Sequence, residues 1–454
     1  MARTLIKGGW VLPMDDAIGD LHGGDVLIDG DAIVEIGRGI AAGDAAVIDA
    51  ANMIVSPGMI NMHMHTWQTG LRGVIADWTM LEYGQRMHAI AVPYFTPDDV
   101  YLANLAGAFE QIHAGTTTLF DWHHCNATVD HTDAAIDALE ESGIRAVYGH
   151  GQTKTASKPG EPPFTEVPHS RERVERLRNC RLASDSGLIT LAMCIQGPGF
   201  SVWECTEHDV RLAKDMGLRW SCHTGAQGIS LCAPDAVRKL DDLDLLGPEA
   251  NFVHANNFTD DELKLIVDRG GSITVTPECE CNFGHGHPVT GRVLAQGGTP
   301  TFGVDVVSNI SGDMFSVLRF GLQFERAMVA EANPRPTKTL TLHNRDALEW
   351  GTIGNAKALG MDDRIGSLTP GKQADIILTR TDDLNTAPVH DPVQTLVYMA
   401  TPFNIDTVFI AGEIKKRGGK MVYPEAALRE KLSQLEASGR RILGQAGVSK
   451  AAAG

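Results

Sequence analysis

His63 and His65 lie one residue apart in the stretch Pro57-Gly58-Met59-Ile60-Asn61-Met62-His63-Met64-His65. In an extended segment, side chains two apart point to the same face. The pair can therefore aim two imidazoles at one point. Imidazole is the commonest protein metal ligand and suits zinc or iron. Two histidines alone fit a satisfied strand end equally well, so a metal centre needs further donors from elsewhere. The candidates close later β-like runs: Asp121-Trp122-His123-His124, Ser221-Cys222-His223, Phe252-Val253-His254 and Gly303-Val304-Asp305.

The elements that must position these residues follow a repeating order. Thr96-Pro97-Asp98 has the capping residue and first-turn proline of a helix start, and Ala114-Gly115 ends that helix. The β-branched run 116–120 follows. Helix and strand then alternate: helices near 130–142, 170–184, 206–216, 234–246, 259–269 and 289–296, and strands near 144–148, 188–195, 218–222, 251–253, 272–276 and 300–304. With the run before His63, this makes eight strands and predicts an α/β fold, a (β/α)8 barrel of the TIM type. In such a barrel the chemistry sits at the carboxyl ends of the strands, where the candidate donors fall. A doubly wound fold would need a glycine-rich phosphate turn after an early strand, and none is present.

The flanks differ in texture. Residues 3–55 alternate short β-like runs with Gly and Asp turns, and β texture returns after residue 365. The organisation expected is a composite β-sandwich built from 1–56 and 365–423, with the barrel, 57–364, inserted between its halves. A helix and tail, 424–454, complete the chain.

Composition excludes several function classes. The chain has 454 residues, 43% of them hydrophobic, and a formal charge of −18. A polyanionic partner such as nucleic acid is disfavoured. No apolar run approaches the roughly 18 residues of a membrane span. The N-terminus reads as a strand rather than a signal peptide. Eight cysteines without a framework of spacings read as free thiols of a cytoplasmic protein. The partner expected is a small molecule, and base rates favour a homodimer or homotetramer.

Taken together, the segment 57–65, His223, Val253-His254-Ala255-Asn256-Asn257, Gly303-Val304-Asp305 and the closing Leu368-Thr369-Pro370-Gly371-Lys372-Gln373-Ala374-Asp375 resemble the metal-dependent amidohydrolase superfamily. The branch is that of cytosine and guanine deaminases and triazine hydrolases. The resemblance spans nearly the whole chain. It implies that His63, His65, His223 and Asp305 hold one divalent metal, zinc first and iron or manganese as alternatives. It places His254 beside the ion, in contact with substrate or attacking water. Binuclear relatives use a carboxylated lysine on the fourth strand. Residues 188–196 contain none, which implies a single ion. Three neutral imidazoles and one carboxylate leave a site of charge +1, and the cation lowers the pKa of bound water to roughly 7. Asp305 then takes the water's proton. Its bland alternative is a helix N-cap.

The chain departs from the branch at one position. A Glu usually follows the fifth-strand His by three residues and moves the proton to the leaving group; position 226 is Ala. Glu278, past the seventh strand, and His254 are the candidate substitutes. Gln227 is the nearest polar side chain to the missing Glu. Trp67, Trp78 and Trp122 can stack on a flat ring or simply pack in the core. Gln196, ending the fourth strand, and His123 and His124 are further candidate substrate contacts. Gly284-His285-Gly286-His287 reads as a lid or surface loop, and Asp313 and Arg319 are weaker candidates. The function expected is metal-dependent hydrolysis at a trigonal carbon of a small cyclic or heteroaromatic substrate, releasing an amine. A halide or thiolate leaving group, or a lyase or decarboxylase on the same barrel, are the alternatives that Ala226 keeps open.

Overall fold

The computed structural model describes residues 3–225, 235–333 and 338–448. The chain enters through β1 (Thr4–Val11), β2 (Leu21–Asp29), β3 (Ala32–Gly37), β4 (Ala46–Asp49) and β5 (Met53–Pro57). Eight strands then form the barrel: β6 (Met59–Met64), β7 (Thr116–His123), β8 (Arg145–Gly151), β9 (Ile189–Cys194), β10 (Trp220–Thr224), β11 (Ala250–His254), β12 (Ser272–Val275) and β13 (Thr301–Phe302). Each is parallel to its neighbour, in chain order. The chain returns to the first sheet with β14 (Ile376–Arg380), β15 (Ile405–Ile410), β16 (Glu413–Arg417) and β17 (Lys420–Met421).

The barrel interior is a packed core rather than a pore. Ile60 and Met62 of β6, Phe120 and Trp122 of β7, Val147 of β8 and Ala192 and Cys194 of β9 meet Ala356 and Leu359 of the helix Asn355–Leu359. Alternation along the strands explains the set: Phe120 and Trp122 turn inward, whereas Leu119 joins the core beneath the outer helices. The seam between first and last strands is closed twice. The Asn355 side chain donates to the carbonyls of Ile60 (2.7 Å) and Phe302 (2.9 Å) and accepts from the Phe302 N–H (3.0 Å). Higher up, Asp305 N–H donates to the His63 carbonyl, and His65 N–H to the Asp305 carbonyl, both at 2.8 Å.

The terminal segments share one continuous nine-stranded sheet, ordered β17-β16-β15-β14-β5-β1-β2-β3, with β4 beside β1. Strand β14 runs antiparallel to β5 from Ile376 opposite Pro57 to Arg380 opposite Met53. Its two faces divide cleanly: Ile6, Val26, Ile28, Val55, Ile376 and Leu378 pack on one side, Leu5, Leu27 and Ile40 on the other. Gly58 alone separates this sheet from the barrel. A Cβ there would fall 2.1 Å from the Thr117 side chain, so only glycine fits. Arg145, at the start of β8, forms a bidentate pair with Asp375 (2.8 and 2.9 Å) and is only 2% exposed. Asp375 also accepts from the Ala411 N–H at 2.7 Å.

The helices depart from the sequence expectation mainly in length. Pro97–His113 has the expected start, capped by Thr96 with Asp99 reaching back to the Thr96 N–H. The expected helices 170–184 and 289–296 are shorter, Arg171–Asn179 and Thr290–Ala295. A π-helical segment, Tyr83–Ala91, was not signalled by periodicity, because its wider turn does not repeat at 3.6 residues. The last helix, Glu425–Ala446, packs Leu435 on Ala103 and Ala106.

Candidate metal centre and active site

His63 belongs to β6, His65 follows it directly, His223 lies on β10, and Asp305 follows β13. One ligand atom from each falls within 4.8 Å of all the others, and all four residues are buried. The His63 and His65 rings are 4.8 Å apart at 82°, so they approach a common point edge to face. Between Asn61 and Met64 the pairing of β6 with β7 shifts register. The simple two-residue alternation is therefore modified at the donor pair itself. Asp305 (φ 74°) and His254 (φ 75°) both hold left-handed backbone, unusual for residues with a Cβ. That strain sits at the two strand ends that face each other across the site.

The donors' chemistry fits a cation. His65 Nδ1–H donates to the Trp122 carbonyl at 2.7 Å, which leaves the Nε2 lone pair directed at the group's centre. His65 Nε2 and His223 Nε2 are 3.1 Å apart, and Asp305 Oδ1 is 3.3 Å from His63 Nε2 and 3.5 Å from His65 Nε2. Both ring nitrogens of His63 are buried without a hydrogen-bond partner. Such convergent, unpartnered lone pairs are costly unless an ion takes them up. Burial lowers the pKa of His63, His65 and His223, in the latter two well below the ordinary 6.5. They are neutral at pH 7 and competent as ligands. Burial opposes ionisation of Asp305, but the His63 ring 3.3 Å away favours the charged form and holds its carboxyl well below the usual range. No other cluster of this kind occurs among the described residues.

Above the donors lies a cavity of about 440 Å³. His65, His223, His254 and Asp305 form part of its wall, with Tyr83, His88, His124, Lys154, Phe200 and His285 among the rest. Asp305 is the one carboxylate that lines it among the described residues. His254 Nδ1 faces Glu280 Oε1 at 3.2 Å, and His254 Nε2 lies 3.9 Å from Asp305 Oδ2.

Several sequence expectations are relocated by this geometry. Glu278 does not line the cavity; Asp313 and Arg319 are its charged neighbours, and burial pushes its carboxyl up to about 7. Glu278, Cys279 and Glu280 lie on a helix, Pro277–Phe283, rather than in a loop, so residues two apart face different sides. Glu280 is the one that turns inward. Fully buried, it accepts from the Thr276 N–H (2.8 Å) and from Asn256 (3.0 Å) besides facing His254. The signal that could have found it is Thr276-Pro277, a helix start whose cap N–H attracts a following glutamate.

Trp67, Trp122, His123 and Gln196 are buried, and none lines the cavity. They stand behind it. Trp67 Nε1 donates to His124 Nδ1 at 3.2 Å. The Trp122 ring packs 4.3 Å from that of His223. His123 lies 3.5 Å from Asp121 on the outer side of β7, and Gln196 Nε2 donates to the Gln152 carbonyl at 3.4 Å. Trp78 is half-buried beneath the Arg86 guanidinium. His285 is buried in the cavity wall, its ring 4.8 Å from His254, instead of forming part of a surface loop. Ala226 and Gln227 lie outside the described residues. Lys154, three residues past β8, is a cavity residue that no local sequence pattern signals.

Comparisons with known proteins agree with this architecture. Residues 54–415 match the amidohydrolase family. The chain is 28% identical over 430 residues to the 5-methylthioadenosine/S-adenosylhomocysteine deaminase of Symbiobacterium thermophilum, covering 91% of this chain and 93% of that one. It is 26% identical over 431 residues to the 5'-deoxyadenosine deaminase of Methanosarcina acetivorans, with the same coverage. Its fold matches that of an adenosine deaminase from Xanthomonas campestris with bound zinc (TM-score 0.82, 23% identity, 98% and 99% of the two chains). It also matches atrazine chlorohydrolase from Arthrobacter aurescens TC1 complexed with zinc (TM-score 0.82, 24% identity, 96% and 100%). With its parallel barrel, its shared terminal sheet and its three histidines and one aspartate gathered to bind a metal, the chain belongs to the amidohydrolase family.

Proposed function

We propose that the protein is a single-metal hydrolase that adds water to a trigonal carbon of a small cyclic or heteroaromatic substrate and releases an amine. The observation that carries this reading is the convergence of His63, His65, His223 and Asp305, three of which line a cavity sized for one small molecule. When bound, a divalent cation supplies Lewis acidity and lowers the pKa of water to roughly 7. The chain's own groups do the rest. Asp305, held ionised, accepts the proton of the attacking water. His254 faces the same point, and Glu280 behind it stabilises a proton on Nδ1, so Nε2 is oriented toward the reacting atoms. Aromatic and apolar side chains of the cavity exclude competing water.

Zinc is the ion we favour, since the two solved relatives described above hold it. The relatives' names favour an amino-heterocycle as substrate. A cytoplasmic homo-oligomer acting on a small molecule, and not on nucleic acid or membranes, completes the reading. Among the described residues, no helix is long and apolar enough to cross a membrane.

A leaving group that needs little protonation, such as halide or thiolate, is the second reading. It is favoured by Ala226 and by the lack of a second carboxylate on the described cavity wall. Elemental analysis, followed by a screen of amino-, halo- and thio-heterocycles in oxygen-18 water, tests both. Label in the product with ammonia release supports the first. Label with halide or thiolate release alone supports the second, and product without label rejects hydrolysis.

A further inference from the structure

Lys154 has no counter-ion among the described residues; burial lowers its pKa to about 8, which still leaves it mostly charged at pH 7. Its Nζ lies 4.0 Å from the ring centroid of Phe200 and 5.7 Å from that of Trp122. No hydrogen bond or ion pair to it is found among the described residues, although its side chain lines the cavity. His65, His223 and Asp305 line the same cavity, so the amine and the donor group share one space. Asp305 is the lining carboxylate nearest in kind to a partner, but it is already engaged with the imidazoles. With a divalent ion in place, the ion, Asp305 and Lys154 leave the site net positive. Aromatic faces attract a cation but do not neutralise it, and a half-buried amine that lines the cavity is open to a counter-ion carried by the ligand.

We infer that Lys154 is a specificity-determining residue that pairs with a carboxylate on the substrate. The substrate class is then a flat ring bearing a carboxylate close to the carbon that is attacked. The inference rests on the reading of this cavity as the substrate site. It separates this chain from enzymes that take neutral amino-heterocycles, because such a ring would leave the ammonium unpaired. One lysine, with no arginine on the described wall, suits a singly charged carboxylate better than a phosphate. The carboxylate would meet Nζ, and the ring would lie along Phe164, Phe200 and Phe283.

The test uses benzoate and its neutral counterpart benzamide as probes, titrated calorimetrically into zinc-loaded and chelator-treated protein. The wild type is expected to bind benzoate at least about tenfold more tightly than benzamide in both forms. Lys154→Met should bring the ratio to about one, and Lys154→Arg should retain most of it. A wild-type ratio near one overturns the inference. So does a preference in the zinc-loaded protein that survives Lys154→Met, since the carboxylate would then be sitting on the ion. Should Lys154→Met fail to fold, Lys154→Gln and the wild-type ratio in metal-free protein decide the matter. Benzoate preference without turnover of any ring amine would sink the hydrolase reading and leave the subsite standing. Turnover without the preference would do the reverse.

Discussion

Asp305 combines a strained backbone, a carboxylate held ionised and a place in the barrel seam. Asp305→Asn keeps the shape but removes the charge, so turnover should fall by at least about a hundredfold, with weaker metal retention; kinetics and elemental analysis together read both. Glu280 works at one remove. Glu280→Gln loses the charge behind His254, and turnover should drop about 10–100-fold while bound metal is unchanged. An unaffected rate would detach Glu280 from the chemistry. Glu278→Gln is the matched control: facing Asp313 and Arg319, it should change turnover by less than about twofold. The four donors were legible from strand ends and resemblance, because each closes a recognisable β run. Choosing between Glu278 and Glu280 was not, because it depends on helix phase in a segment of seven residues. Lys154 follows a strand whose own last polar residue, His150, is engaged with His169 at 2.8 Å, so nothing in the local pattern pointed to it.

At the scale of elements, the alternation of helix and strand is what sequence conveys best, since its two periodicities differ sharply. Ends were less legible: the expected strand 300–304 is only Thr301–Phe302, and Asp305 rejoins the first barrel strand through a single bridge to Met64. How elements are tied together is not a local property at all. Lys416 of β16 shows this. Fully buried, it donates to the His113 carbonyl at 2.7 Å, at the end of the helix Pro97–His113, and so fastens the terminal sheet to the barrel. Burial lowers its pKa from 10.5 to about 7. The native state therefore releases a proton that the unfolded chain keeps between about pH 7 and 10.5. Its contribution to stability is present above the unfolded value and is lost as pH falls through 7. Denaturation of wild type and Lys416→Met across pH 6–10 should show the wild type gaining on the variant as pH rises, and parallel curves would refute this.

For the molecule as a whole, two sheets of different construction meet at Gly58 and at the buried pair Arg145–Asp375. Arg145→Ala leaves a buried carboxylate without its cation and should cost about 3–5 kcal/mol, read by chemical denaturation. Metal removal acts across the same molecule. Chelation should lower the melting temperature, since an ion present at 100 times its dissociation constant contributes about 2.7 kcal/mol. The barrel was foreseeable because its strands follow one another in chain order. The pairing of β5 with β14 joins residues more than 300 positions apart, and only the return of β texture near the end hinted at it.

The seam has a consequence for biosynthesis. Two donors leave the ribosome with the first barrel strand, and the fourth only with the residue that follows the last strand. Until residue 305 has emerged and docked against His63 and His65, a nascent chain presents at most three scattered imidazoles. Ion capture is thereby tied to late closure of the cylinder, and stalled or truncated products ending before that point should emerge from translation unmetallated.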